Sequence, residues 1–265
     1  MDTIKSEKII KIFANPNDLF HFAAKDFKQR AITSVNEKGL FSVVLAGGNT
    51  PKLFFDILTD EYYKNSIPWQ QIQFFFGDER FVPSNNVKSN YHMAYEHLFS
   101  KVSVKPENIY RIKIEFNNPK DAAKNYEHTL RKIFHSKNDA YPQFDLVYLG
   151  LGEDAPTASL MPCSDVVQRY TEDSSTEKNN QLVASLFIAA SNLYRITLTP
   201  SAINHSQDII FLVTGASKAD AVRAVLEGQA DPLHYPAQLI HGVHKKTLWY
   251  LDQAAAGKLS IANSK

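Results

Sequence analysis

The segment AGGNTP (46–51) places two glycines, an amide and a hydroxyl directly after the apolar run LFSVVLA. Gly47 and Gly48 allow the backbone to approach a ligand, and Thr50 before Pro51 is typical of a helix N-cap. Free N–H groups and the helix dipole at such a position favour an anion such as phosphate. The segment therefore predicts an anion-binding loop, with a plain strand-to-helix turn as the alternative. It is not a P-loop, because GxxxxGK[ST] is absent.

A second segment, GDERFVPSNN (77–86), follows the apolar run IQFFF. If that run is a buried strand, Asp78 and Arg80 lie at the edge of the sheet. There the Arg80 guanidinium would bind phosphate oxygens and the Asp78 carboxylate would accept from sugar hydroxyls. The alternative is a solvated loop with a surface ion pair.

Two later segments each contribute one cation. In YRITLT, Arg195 alternates with Tyr194 and Ile196, so its side chain lies on the face opposite the apolar residues. In TGASKAD, Lys218 falls in the first turn of a predicted helix, where the dipole disfavours a cation unless an anion compensates. The alternative is a solvated lysine and an arginine paired with a carboxylate.

The segment GLGEDAPTASLMP (150–162) follows another apolar run, FDLVYLGL. Its G-x-G-x-x-A spacing is only a weak sign of dinucleotide binding, because that fingerprint opens a long helix and Pro156 and Pro162 interrupt this one. A loop that offers Asp154, Thr157, Ser159 and backbone amides to a polar ligand fits better.

The elements that must position these segments alternate between β-rich apolar runs and helical patterns. About seven strands with intervening helices predict an α/β fold, with a mainly parallel, doubly wound, Rossmann-like sheet in a single domain over 1–265. In such sheets the ligand lies at the carboxyl ends of the strands. The stretch 165–181 is polar and is expected to be an irregular surface excursion.

Composition excludes several classes of protein. The chain has 265 residues, 44% hydrophobic and 22% charged, with a formal net charge of +1. Its basic residues are not clustered, which argues against nucleic acid as a partner. There is no apolar run long enough for a membrane span and no signal-peptide pattern, and Cys163 is the single cysteine. We expect a cytoplasmic monomer that binds a small anionic molecule.

The motifs resemble those of the 6-phosphogluconolactonases, within the group that includes the glucosamine-6-phosphate deaminases. The resemblance runs from about residue 40 to 256 through LAGGNTP, GDERFVP…SN, LGLGEDAPTASLMP, RITLT, FLVTGASKA, YPAQLI and LWYLDQAAA. The TASLMP ending is close to the lactonase form, which disfavours a deaminase. The resemblance implies a single Rossmann-like domain and hydrolysis of 6-phospho-glucono-1,5-lactone to 6-phosphogluconate in the oxidative pentose phosphate pathway, without metal or cofactor.

Carried over by position, the resemblance assigns substrate and phosphate binding to the predicted loops. The residues are Gly47, Gly48, Asn49, Thr50, Asp78, Arg80, Thr157, Arg195 and Lys218.

One departure from the family motif concerns the general base. The family motif Gly-x-Asp-Gly-His-Thr-Ala-Ser-Leu has its histidine where this chain has Pro156, and a second family histidine is replaced by Asn86. Proline can neither take a proton nor donate its backbone N–H. We expect Asp154 or Glu153 to act as base if burial raises its pKa, or a distant histidine, His205 or His241, to reach the site. The alternative is a phosphosugar-binding protein with weak or no catalysis.

Overall fold

The computed structural model describes residues 7–135, 140–172, 180–243 and 246–260. The strands within these ranges are β1 (Glu7–Phe13), β2 (Phe41–Leu45), β3 (Ile72–Phe76), β4 (Asp78–Arg80), β5 (Ile109–Tyr110), β6 (Leu146–Leu149), β7 (Val183–Ile188), β8 (Leu193–Leu198), β9 (Asp208–Val213) and β10 (Lys246–Asp252). The α-helices there are α1 (Pro16–Lys38), α2 (Asn49–Leu58), α3 (Glu61–Lys64), α4 (Asn90–Ala94), α5 (Pro119–Ile133), α6 (Asp165–Glu172), α7 (Pro200–Asn204), α8 (Ala219–Leu226) and α9 (Gln253–Ala256).

The main sheet is parallel throughout the described residues, with seven strands in the order β1-β10-β9-β6-β2-β3-β5. This confirms the predicted α/β class. The chain proceeds from β2 through β3 to one edge and from β6 through β9 towards the other. The topological switch point, where ligands bind in open α/β sheets, therefore lies between β2 and β6. The glycine loop follows β2, and the segment 150–162 follows β6.

A second sheet, in the order β4-β8-β7, is antiparallel and was not predicted as a separate sheet. Strand β4 has only three residues and follows β3 after Gly77 alone. Its pairing places Asp78 opposite Thr197 and Arg80 opposite Arg195. The small sheet thus brings two of the predicted site segments together.

Helices cover the main sheet, and residues of both sheets join one buried hydrophobic cluster. Helix α1 begins after Asn15, whose side chain accepts from the Asp18 N–H, and ends at Gly39 with φ 81°. The Ser89 hydroxyl caps α4 by accepting from the His92 N–H, and the Thr199 hydroxyl caps α7 by accepting from the Ala202 N–H. In the described ranges, we find no helix with the length and apolar character needed to cross a membrane.

Two predicted features are wrong. Thr50 does not cap α2: Gly48 precedes that helix, and the Thr50 hydroxyl lies 3.1 Å from the Thr214 hydroxyl. The stretch 165–181 is not irregular throughout, because residues 165–172 form α6, in which Val166 and Val167 are buried. Val166, Val167 and Tyr170 are the apolar residues of this helix, and three such positions over eight residues are too short a pattern to indicate a helix. Of the rest of this predicted excursion, residues 173–179 lie outside the described residues.

Candidate functional site

A pocket of about 580 Å³ opens at the carboxyl ends of β2, β6 and β9 and against the small sheet. Five separate segments of the chain line it. Of the predicted site residues, the pocket wall contains Gly47, Gly48, Asn49, Thr50, Asp78, Arg80, Glu153, Thr157, Arg195 and Lys218. Asp154 is absent from that wall. The predicted site residues, apart from Asp154, therefore lie around one pocket, as the sequence led us to expect.

Arg80 and Arg195 are direct cross-strand partners on β4 and β8. Like charges in this arrangement repel each other and destabilise the sheet. Burial lowers the pKa of the Arg195 guanidinium; Asp78 opposes that shift, and the charge of Arg80 adds to it. The Nε atoms of both arginines are buried and have no hydrogen-bond partner among the described residues. Both side chains line the pocket, and a bound anion would neutralise this repelling pair of charges.

Asp78 connects the pocket's loops through its side chain. Its Oδ2 accepts from the Ser159 hydroxyl at 2.5 Å and lies 3.6 Å from Arg195 Nη1, and its Oδ1 accepts from Asn90 Nδ2 at 2.9 Å. The carboxylate is buried. Because its oxygens are occupied by protein donors, Asp78 is better suited to hold Arg195 and the 157–160 turn in place than to bind a sugar hydroxyl, which was its predicted role.

Glu79 was not singled out in the sequence, although it lies inside the GDER segment. Its buried carboxylate accepts hydrogen bonds from Ser89 Oγ at 2.9 Å and from the N–H groups of Arg80, Asn90 and Tyr91 at 2.7, 2.7 and 2.8 Å. Burial raises the pKa of Glu79, and these four donors oppose the shift. The contacts fasten the first turn of α4 to β4. Only the fold, and not the sequence pattern, brings these donors to the carboxylate.

Lys218 lines the same pocket, and its Nζ lies 3.8 Å from Glu153 Oε1. It immediately precedes α8, in the turn Ala216–Lys218, so its predicted position at a helix start is confirmed. The neighbouring Gly215 N–H donates to both carboxylate oxygens of Asp252, at 3.1 and 3.0 Å, and is therefore not available to a ligand. The segment 215–218 therefore contributes the Lys218 ammonium group to the pocket, and its Gly215 N–H does not contribute a donor.

The segment 150–162 folds into turns, as its prolines predicted. The Gly152 N–H donates to the Pro156 carbonyl at 2.8 Å, and a Cβ added to Gly152 would lie 2.3 Å from Pro156 Cγ. The Thr157 hydroxyl donates to the Gly150 carbonyl at 2.9 Å, so it supports the loop internally. Ala155 has φ 58°, a left-handed conformation that costs an alanine roughly 1 kcal/mol relative to glycine.

None of the groups expected to replace the motif histidine meets its stated condition. Glu153 and Asp154 are both exposed, so the burial on which either depended is absent. His205 and His241 line a different cavity, with Tyr141 and Tyr170, and do not reach the pocket. They lie on the segments before β9 and β10, at the amino end of the sheet. The sequence carries a signal for this: both histidines precede apolar runs, IIFLV and TLWYLD, and segments that precede the strands of a parallel sheet lie at the edge opposite the ligand.

No histidine is found among the described residues that line the pocket. Likewise, no group of three or more histidine, cysteine, aspartate or glutamate side chains placed to hold a metal ion occurs in the described part of the chain.

The fold and the pocket define a class: an α/β protein with a positively charged pocket at the switch point of a parallel sheet. Residues 14–249 match the family model described as glucosamine-6-phosphate isomerases/6-phosphogluconolactonase, and the chain belongs to this family.

Relatives of known name support this assignment. A 6-phosphogluconolactonase of Nostoc sp. is 34% identical over 86% of this chain and 89% of its own length. One of Haemophilus influenzae is 35% identical over 80% of this chain and 85% of its own. The structure of 6-phosphogluconolactonase from Trypanosoma brucei superposes with a TM-score of 0.80 at 27% identity, covering 96% of this chain and all of that one.

Proposed function

We propose that this protein binds 6-phospho-glucono-1,5-lactone and hydrolyses it to 6-phosphogluconate, with lower turnover than relatives that carry the motif histidine. The observation that carries the proposal is the cross-strand pair of Arg80 and Arg195, which lines one pocket together with Lys218. Three cations on one small pocket match a phosphate dianion. The family relatives named above supply the identity of the sugar.

The reaction is attack of water on the lactone carbonyl carbon C1, followed by opening of the ring ester. Arg80, Arg195 and Lys218 would hold the phosphate, together with the loop Gly47–Thr50, and so fix the carbonyl relative to the remaining wall. Holding the substrate in this way lowers the activation barrier of hydrolysis even when no side chain of the pocket accepts the proton of the water. It explains how a pocket lined by Pro156 can still accelerate hydrolysis.

Glu153 is the best available group to assist the water. It lines the pocket, carries a carboxylate and lies 3.8 Å from Lys218 Nζ, although its side chain is 64% exposed. A carboxylate that is largely solvated is a weak general base at neutral pH. We therefore propose a modest role for Glu153 and none for Asp154, which does not line the pocket.

A second candidate function is a phosphosugar-binding protein without useful turnover. The specific observation in its favour is the absence of an imidazole among the described residues of the pocket, since a general base typically contributes about 10²- to 10⁴-fold in rate. In either case we propose a cytoplasmic monomer of one domain that acts on a small phosphorylated sugar and requires no metal.

One experiment separates the two functions. Hydrolysis of freshly prepared lactone is followed with purified protein and corrected for spontaneous opening, while binding of 6-phosphogluconate is measured by calorimetry. We expect binding together with a rate above background that falls several-fold in Glu153→Gln. Binding with a background rate would establish the second function. Failure to bind 6-phosphogluconate would remove both.

A further inference from the structure

Asn90 lies buried between two walls of the pocket, with 1% of its surface exposed. Its Nδ2 donates to both the backbone carbonyl and the Oδ1 of Asp78, each at 2.9 Å. Both of these partners are acceptors. The amide nitrogen, and not the oxygen, must therefore face Asp78, so the network itself fixes the orientation of the side chain.

The same side chain packs directly on the glycine loop. A Cβ added to Gly47 would lie 1.9 Å from Asn90 Oδ1 and 2.3 Å from its Cγ. Asn90 thus occupies the space that a side chain at position 47 would need, which requires glycine there independently of any ligand that approaches the loop. The loop and the carboxylate of Asp78 rest on opposite sides of one amide group.

The position of Asn90 is fixed by its backbone as well. The Asn90 N–H donates to Glu79 Oε1 at 2.7 Å, and Glu79 also accepts from the neighbouring Ser89 and Tyr91. Glu79 lies on β4 between the two pocket residues Asp78 and Arg80. The amide is therefore fastened to the same strand whose charged residues it orders.

We propose that Asn90 is a positioning residue for the pocket, which acts through Asp78 and Gly47. By donating to Asp78 it leaves Oδ2 for Ser159 and Arg195, and by packing on Gly47 it fixes the distance between the glycine loop and the arginine pair. Asn90 does not line the pocket itself, so it acts without touching the ligand. This inference rests on the proposed function, because the ligand that reports it is 6-phosphogluconate.

The decisive variant is Asn90→Asp, which keeps the shape of the side chain and replaces the donor with a carboxylate. Two adjacent buried carboxylates repel each other, and one of them then retains a proton at low pH. A proton on the new carboxyl restores a donor towards Asp78. We expect the dissociation constant of 6-phosphogluconate to rise at least about tenfold over wild type at about pH 8, and by a clearly smaller factor at about pH 5.5.

Asn85→Asp is the matched control, because Asn85 is exposed in the loop that precedes α4 and receives the same charge. The dissociation constant of 6-phosphogluconate for this control should stay close to that of wild type at both pH values. If Asn90 had a purely structural role, Asn90→Asp would lower thermal stability, and the ratio of its dissociation constant to that of wild type would not depend on pH. If Asn90→Asp does not fold, the uncharged Asn90→Ser replaces it and should bind several-fold more weakly, by a factor that is constant with pH.

The outcomes distinguish the two proposals. If wild type binds 6-phosphogluconate and Asn90→Asp, or its substitute Asn90→Ser, binds as tightly at both pH values, the positioning role is wrong and the proposed function stands. If wild type itself does not bind, the proposed function fails and the inference fails with it.

Discussion

Pro156 is the residue at which this pocket departs most from the family motif, and its surroundings allow a direct repair. Its ring packs on Gly152 and its carbonyl accepts from the Gly152 N–H, which any residue at position 156 can also do. Pro156→His should therefore keep the turn and add an imidazole to the pocket wall. We expect kcat for lactone hydrolysis to rise by about 10²-fold, the lower end of general-base effects.

The measurement is steady-state hydrolysis of fresh lactone by Pro156→His and wild type, with 6-phosphogluconate affinity as the check on the pocket. An unchanged kcat in a folded, binding variant would show that another group already activates the water.

Arg80 illustrates how binding and stability oppose each other at one residue. Its cross-strand partner is Arg195, and removing one of two repelling charges offsets the lost hydrogen bond from Arg80 Nη1 to the Lys88 carbonyl at 2.5 Å. We expect Arg80→Gln to keep the free energy of unfolding of the ligand-free protein within about 1 kcal/mol of wild type. Its affinity for 6-phosphogluconate should fall more than about tenfold, because a charged hydrogen bond is lost.

Denaturant titration and calorimetry check both halves of this prediction. Arg223→Gln removes the same charge from the exposed surface of α8 and should alter neither quantity. Should Arg80→Gln bind within twofold of wild type, the arginine pair could not be the phosphate site.

Two glycines with open space around them allow a comparison at the scale of elements. Gly39 ends α1 with φ 81°, and Gly48 precedes α2 with φ 104° and ψ −176°; a Cβ on either would meet no atom within 4 Å. Any cost of alanine there is backbone strain alone. Gly39→Ala should destabilise by about 1 kcal/mol, and Gly48→Ala by about 1–3 kcal/mol, since its region is almost exclusive to glycine.

Only Gly48→Ala should also weaken 6-phosphogluconate binding, because Gly48 lines the pocket and Gly39 does not. Thermal unfolding and calorimetry on the two variants test this. Equal affinities in the two variants would indicate that the loop before α2 does not contact the ligand.

Some features of the fold and the pocket can be predicted from the sequence, and others cannot. The parallel strands and the pocket cations at Arg80, Arg195 and Lys218 are predictable, since buried strands appear as apolar runs and ligands gather where such strands end. The small sheet is not predictable in this way: β4 has three residues, and its partner β8 lies far along the chain. The roles of Glu79 and Asn90 depend on that pairing, and they appear only in three dimensions.

At the scale of the whole molecule, the pocket joins segments that are separate in the chain and belong to two sheets. A ligand that binds only when these segments are assembled stabilises the folded state by RT ln(1 + [L]/Kd), about 2.7 kcal/mol at a hundredfold excess over Kd. We expect 6-phosphogluconate to raise the thermal midpoint and to slow backbone hydrogen exchange jointly in residues 47–50, 78–80, 150–158 and 214–218.

The cavity lined by His205 and His241 provides the internal control, because it lies at the amino end of the sheet and shares no lining residue with the pocket. On addition of 6-phosphogluconate, hydrogen exchange in residues 200–205 should slow only by the amount that the increase in global stability explains. Exchange measured by mass spectrometry, with and without ligand, resolves these peptides. Protection centred on 200–205 would place the ligand at the wrong edge of the sheet, and the arginine pair would then need another explanation.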